Sequence, residues 1–232
     1  MATSPELTEQ DLHNLRQVGT TMVANAVERF NLRLRNTGFT HASVRCMFPD
    51  APPMVGYAVT ARLRTGEPPI TGGTFRDRTE LWKTILESPK PRVLVVQDVD
   101  TPPGRGAFLG NVHAAVLQAV GCIGCVTNGA VRELPAVRSS GVQVFAGNLV
   151  VSHAYAHIFE IGETVNVGGM EVRPGDLLHG DQNGVITIPH EIARDVPPLV
   201  SRLQEAERAV IEFCRSPSFS VEGLRQMMKP LF

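Results

Sequence analysis

GRGAFLGNVHAAVLQAVGCIGCVTNGAVRELPAVR (residues 104–138) runs from a glycine-rich loop through a helix and a buried strand to an Asn-Gly turn and an arginine beside a carboxylate. Gly104, Gly106 and Gly110 crowd the loop, and Asn111 is placed to cap a helix that continues through Val120 and stops at Gly121. CIGCVT and VQVFA then read as strands joined by the short helical segment VRELPAVRSSG. Strand, helix and strand in alternation imply parallel pairing and a layered α/β core. A loop that runs into a helix start offers unpaired N–H groups and the positive end of the macrodipole to a carboxylate or phosphate. Twenty residues separate Asn111 from Arg132 and Glu133 follows Arg132 directly, so an anion pocket with a metal ligand at its mouth is expected here.

Outward from this stretch, Thr8 and Asp11 form a variant capping box, and Leu12, Leu15, Val18, Met22, Val23, Ala26, Val27 and Phe30 recur at helical spacing, broken near Gly19. Residues 36–53 are irregular and rich in turn formers. VGYAVTARLRT (55–65) alternates and is β-branched, which predicts a strand, and 75–87 has helical spacing. PRVLVVQDV (91–99) is a continuous apolar run, as in a strand buried on both faces. Residues 161–189 form a small β-rich unit around Gly-Gly, Pro-Gly and Asn-Gly turns, with Asp181 in a hairpin turn. His190 to Cys214 reads as helical after an interruption at Pro197 and Pro198, and Val221 to Met228 as a last helix that packs on a neighbour. With no internal repeat or low-complexity linker, one domain over residues 1–232 is expected, its core at about 12–189 and a C-terminal helical arm at about 190–232.

The formal net charge of −1 and a pI of about 6.7 argue against a nucleic-acid groove or a membrane-binding surface. No run of 18 apolar residues exists and the N-terminus lacks a signal-peptide pattern, so a cytoplasmic protein is expected. Cys46, Cys122, Cys125 and Cys214 do not make a disulfide framework, and the CxxC at 122–125 sits in an apolar run as small core residues. His153 and His157 would share one face of a helix, with packing the preferred role over metal binding. His113, two residues past Asn111, is within reach of the pocket from the first helical turn, as a candidate base.

Over about Leu12 to Pro189 the chain resembles the RraA-like family, which includes regulators of ribonuclease E activity and metal-dependent 4-hydroxy-4-methyl-2-oxoglutarate aldolases. GYAVTA, VLVVQD, the glycine loop with Arg132, and GDLLHGDQNGVITIP carry the resemblance in order and spacing. It implies an α/β fold of the swivelling β/β/α type, with helical N- and C-terminal arms, assembled as a homotrimer or hexamer with sites where subunits meet. Aldolase members carry an Asp, 20 residues, then Arg-Asp. This chain has Asn111 and Glu133 at the acidic positions and keeps Arg132, and it has Asn128-Gly129 where many members have Asp-Gly. The resemblance also implies an acidic residue supplied across the subunit boundary, for which Glu205 and Glu207 are the candidates.

The chemistry implied is that of a lyase acting on a small 2-keto acid, by retro-aldol cleavage or by decarboxylation of the oxaloacetate type. Mg²⁺ or Mn²⁺, held by Glu133, would act as the Lewis acid. Arg132 would be the catalytic cation beside the developing oxyanion. The backbone at Gly106, Ala107, Phe108, Leu109 and Gly110, with Asn111 and Arg132, would hold the substrate carboxylate. Only three lysines occur, Lys83, Lys90 and Lys229, and none lies in an apolar strand, which disfavours Schiff-base chemistry. The alternative is a non-catalytic regulator that binds a protein partner such as ribonuclease E.

Overall fold

β2 (Met54–Arg64) is the hub of the molecule: residues 54–61 are all buried, and Val55, Val59 and Thr60 supply the β-branched side chains that suit a strand covered on both faces. The structure, a computed structural model, describes residues 7–69 and 78–229. On one edge β2 runs parallel to β3 (Arg92–Asp98), β3 parallel to β5 (Cys122–Thr127), and β5 parallel to β7 (Gln143–Ala146). β1 (Arg45–Cys46) closes that side antiparallel to β7. The other edge of β2 is shared. β12 (Leu177–Asp181) pairs with its first half and β9 (His157–Ile161) with its second, where the register shifts between Arg62 and Leu63. A hairpin from β12 adds β13 (Gly184–Ile188). Asp181 accepts the Asn183 N–H at 2.8 Å, which is the turn role expected of it.

Period-two alternation divides the core between two sides of this sheet. Leu94 and Val96 face α3 (Thr79–Glu87), α4 (Asn111–Ala119) and α5 (Leu134–Ser139), packing with Leu81, Ile85, Leu117 and Val137. Val93 and Val95 face the hairpin of β10 (Val165–Val167) and β11 (Met170–Val172). A second helical group covers β2, β12 and β13: α1 (Glu9–Arg16), α2 (Thr20–Arg29) and α6 (Val196–Arg215) bury Leu15, Val23, Val27 and Val200 there. Helices, sheet and hairpin together make the mixed α/β, swivelling β/β/α arrangement.

The reciprocal Thr8–Asp11 cap is present, with bonds of 2.8 and 3.2 Å. Three expectations need correction. Gly110, not Asn111, is the N-cap of α4; Asn111 is the first helical residue. Pro197 and Pro198 do not interrupt a helix but open α6, where a missing N–H costs no intrahelical bond. His153 lies in a loop and His157 in β9, so they share no helix face. The helix expected from residue 75 is described from Thr79, and residues 75–77 lie outside the described residues. α7 (Val221–Met228), capped by Ser220, buries no residue. No described helix is long and apolar enough to cross a membrane.

Three parallel strands of the large sheet, β3, β5 and β7, are each followed by a very short one in a second sheet. β3 leads to β4 (Ala107–Leu109), β5 to β6 (Ala130–Val131), and β7 to β8 (Asn148–Leu149). These short strands pair in parallel in the order β4-β6-β8. They extend the chain beyond the C-terminal ends of β3, β5 and β7, where open α/β sheets bind ligands.

Candidate functional site

The floor of the site is built on Asp98, the last residue of β3 and only 2 % exposed. Its Oδ2 accepts the Gly104 N–H at 2.7 Å and the Thr65 hydroxyl at 3.2 Å, and its Oδ1 accepts the Asp100 N–H at 3.1 Å. The carboxylate thereby fixes the start of the glycine-rich loop. Burial pushes its pKa up, with those hydrogen bonds pulling the other way. Asn128, in the turn after β5, reads the same residue's backbone: its Oδ1 accepts the Asp98 N–H at 2.8 Å and its Nδ2 donates to the Asp98 carbonyl at 2.9 Å. A carboxylate at 128 could not make the second bond, which is a physical reason for the amide.

The glycine-rich stretch is less open than its composition suggests. Residues 107–109 form a strand, the Ala107 N–H is taken by the Ser152 carbonyl at 2.8 Å, and Gly104's by Asp98. Gly106 has to be glycine, because a Cβ there would run into the His153 carbonyl. The donors left over belong to the first turn of α4. There the N–H groups of Val112 and His113 have no protein acceptor among the described residues.

Arg132 and Glu133 stand at this helix start. Glu133 is in the left-handed region, φ 58 and ψ 37, which is uncommon outside glycine and points to a position held by its surroundings. Its Oε2 accepts the Asn111 N–H at 2.9 Å, so the carboxylate itself caps α4. Gly110 makes room, since a Cβ would sit 2.6 Å from that oxygen. Arg132 donates from Nη1 to the Val151 carbonyl at 3.1 Å. Its Nε is buried without a hydrogen-bond partner, 3.7 Å from Glu133 Oε2, a separation that is an ion pair but not a hydrogen bond. A buried donor of a permanent cation left unpaired is costly in a folded chain.

Beyond the helix start lies a basic cluster. His113 stacks on Phe108 with ring centroids 5.5 Å apart and meets His153 edge-on at 6.4 Å. His153 donates from Nδ1 to the Ala107 carbonyl at 2.9 Å. Arg78 places its guanidinium over the Phe108 ring, 4.9 Å from the centroid, and donates to His113 Nε2. Burial, reinforced by the positive charges of Arg78, His153 and Arg132, lowers the His113 pKa to about 4. His113 is therefore a neutral imidazole at physiological pH, with Nε2 already engaged.

The structure thus brings Gly106 to Gly110, Asn111, Arg132 and Glu133 together, as the spacing suggested. It sets His157 apart: buried in β9, its Nδ1 bonds to the Tyr155 carbonyl. Cys122 and Cys125 are core residues of β5, and burial pushes the Cys122 thiol up to about 12. Glu205 is exposed on α6, with Glu207 half-buried nearby. Sequence reasoning missed Asp98 and Arg78. The first was visible as the polar end of VLVVQD, whereas nothing in the sequence joined Arg78 to His113, 35 residues on.

The chain is 29% identical to an uncharacterised protein of Methanocaldococcus jannaschii over 140 residues, 60% of this chain and 67% of that one. It is 31% identical over 137 residues to a Halalkalibacterium halodurans protein provisionally named a 4-hydroxy-4-methyl-2-oxoglutarate aldolase, spanning 59% of this chain and 60% of that protein. Among solved structures, an uncharacterised protein from Pseudomonas syringae pv. tomato superposes with a TM-score of 0.73 at 19% identity, covering 98% and 97% of the two chains. Streptomyces coelicolor RraAS2, described as an unusual member of the RNase ES inhibitor RraA protein family, gives 0.66 at 22% identity, covering 90% of this chain and 98% of that one. At such identities these two likenesses speak to fold alone. The sequence profile of the RraA-like family (Aldolase/RraA) matches residues 20–187, from the start of α2 into β13, and the chain belongs to that family.

Proposed function

We propose that this protein is a divalent-metal-dependent lyase that cleaves a small 2-keto acid and releases pyruvate. The observation that carries the reading is Arg132, whose buried Nε makes no hydrogen bond among the described residues and stands beside a helix N-terminus with free N–H groups. The provisional aldolase names of several relatives point the same way.

The donor set suits a weakly held, largely hydrated Mg²⁺ or Mn²⁺. Glu133 supplies a half-exposed carboxylate and Asn111 an exposed amide, and among the described residues no cluster of three acidic, His or Cys ligands exists. When bound, the ion would supply Lewis-acid polarisation of the keto oxygen. In the retro-aldol case, the C4 hydroxyl of the substrate loses its proton, the C3–C4 bond breaks, and C4 becomes a carbonyl. The electron pair passes to the C2 keto oxygen, and C3 is then protonated to give pyruvate. Arg132 donates to that oxygen as its charge grows, an interaction stronger in the transition state than in the ground state. The Val112 and His113 N–H groups hold the C1 carboxylate at the helix start. For this, Glu133 must turn its Oε2 away from the Asn111 N–H.

The reading includes a single domain assembled as a trimer or hexamer in the cytoplasm. Val151, 93 % exposed beside Arg132, supports a site completed by a second copy of the chain. One observation favours the non-catalytic regulator instead: Glu133 is committed to capping α4. Pyruvate release from 4-hydroxy-4-methyl-2-oxoglutarate and from oxaloacetate, with Mg²⁺ or with EDTA, separates the two. Turnover abolished by EDTA is expected. No turnover on either substrate by a folded protein that also binds no Mn²⁺ would favour the regulator.

A further inference from the structure

We propose that Arg78, with His113 and His153, forms a second anion subsite in this pocket, one that receives the far carboxylate of a ligand carrying two. The subsite deepens the keto-acid reading and rests on it for the identity of the reacting end.

Buried cations in folded chains are normally paired or fully bonded. Arg78 is half-buried against Phe108, itself only 2 % exposed, yet among the described residues no carboxylate lies within ion-pair distance of it. Its one hydrogen-bond acceptor there is a neutral ring nitrogen, His113 Nε2. A guanidinium presents several donors in a planar fork, so an acceptor of that size leaves most of them unused. The stack of Phe108, His113 and His153 holds these groups in fixed orientation. Arg92 shows the contrasting use of an arginine, donating to the Ser88, Val120 and Leu86 carbonyls.

An apolar platform under a guanidinium whose fork is largely unbonded among the described residues makes a carboxylate receptor: it lowers the cost of desolvating the cation and fixes the fork for two parallel hydrogen bonds. Arg132 and the first turn of α4 would take the keto-acid end of the same ligand. Selectivity then follows from length and charge, with a 2-keto dicarboxylate bridging both poles and a 2-keto monocarboxylate filling one.

The test is calorimetric binding of 2-oxoglutarate and of 2-oxopentanoate, which differ in having a carboxylate or a methyl group at the far end, to the full chain with Mg²⁺ present. Wild type should prefer 2-oxoglutarate by about 10- to 100-fold, the range expected for one charge-assisted fork. Arg78→Met should reduce the preference to about 1–3-fold while leaving 2-oxopentanoate binding within about twofold of wild type. Should Arg78→Met fail to fold, Arg78→Gln reads the same preference. A wild type without the preference, or a folded variant that retains it, overturns the proposal. Pyruvate release is measured in parallel on the same preparations. The preference without any release would keep the subsite and remove the lyase reading. Release without the preference would do the reverse.

Discussion

The two ends of β3 are both finished by arginines, and they are finished differently. At the start of the strand Arg92, 5 % exposed, donates to three carbonyls: Ser88 at 2.8 Å, Val120 at 2.9 Å and Leu86 at 2.5 Å. Beyond the end of the strand, among the described residues, Arg132 keeps a buried Nε with no hydrogen-bond acceptor, and Arg78 meets an imidazole nitrogen and a ring face. The same side chain serves as a structural clamp in one place and is held in reserve in the other. The distinction lies in whether the backbone supplies acceptors. At the start of β3 the ends of α3 and α4 present their last carbonyls to Arg92. Beyond its end the short strands β4, β6 and β8 pair with one another, and α4 presents donors instead. Unbonded cationic donors beside a helix N-terminus are what an anionic ligand needs.

This contrast is sharpest for stability. Arg92→Ala strands three carbonyls and should destabilise the fold by about 3–5 kcal/mol in urea denaturation. Arg132→Ala should cost about 1 kcal/mol or less, since it removes one backbone bond and one unsatisfied atom. Equal losses in the two variants would erase the distinction.

A second prediction concerns the floor. Asn128→Asp removes the bond to the Asp98 carbonyl and sets a second carboxylate beside a buried one, at a cost of about 2–3 kcal/mol near neutral pH. The pKa of Asp98 is already raised in the fold, and the new neighbour raises it further. A raised pKa contributes stability that is present below the unfolded value, about 3.9, and is lost as pH rises through the folded value. The gap between wild type and variant should therefore widen from pH 4.5 to pH 7.5; a gap independent of pH would mean the two carboxylates do not interact.

The smallest expected change is at Glu133. Glu133→Gln keeps an acceptor for the Asn111 N–H but loses the charge at the helix start, so stability should fall by about 0.3–1 kcal/mol. Mn²⁺ binding, followed by water-proton relaxation, should weaken at least tenfold if this carboxylate is the protein's direct ligand. Unchanged binding would place the ion elsewhere.

Much of the fold could be read because its signals are local. VLVVQD announces a strand buried on both faces, and Thr8 with Asp11 announces a helix start. The site was half legible. Asn111, Arg132 and Glu133 converge as their spacing suggests, because a helix, a strand and a tight turn leave little choice of path between them. The second sheet was not legible, since strands of two or three residues are too short to show a period. The Asn111 side chain suits a cap, yet Gly110 holds the place because Glu133 reaches across 22 residues to supply the carboxylate. His153 and His157 have the spacing of a helix face in a segment whose backbone is bound instead to β2 and β4. Arg78 and Asp98 gain their roles from contacts between distant parts of the chain, which no window of sequence contains.

The measurement that bears most directly on the role of the reserved arginine is kcat/KM for pyruvate release from 4-hydroxy-4-methyl-2-oxoglutarate with Mg²⁺, for wild type and Arg132→Ala, each checked by its urea midpoint. A drop of about 10²–10³-fold with a near-native midpoint is expected of a donor that acts on developing charge. Unchanged turnover in the folded variant would mean that the unpaired Nε of Arg132 is not there for a substrate.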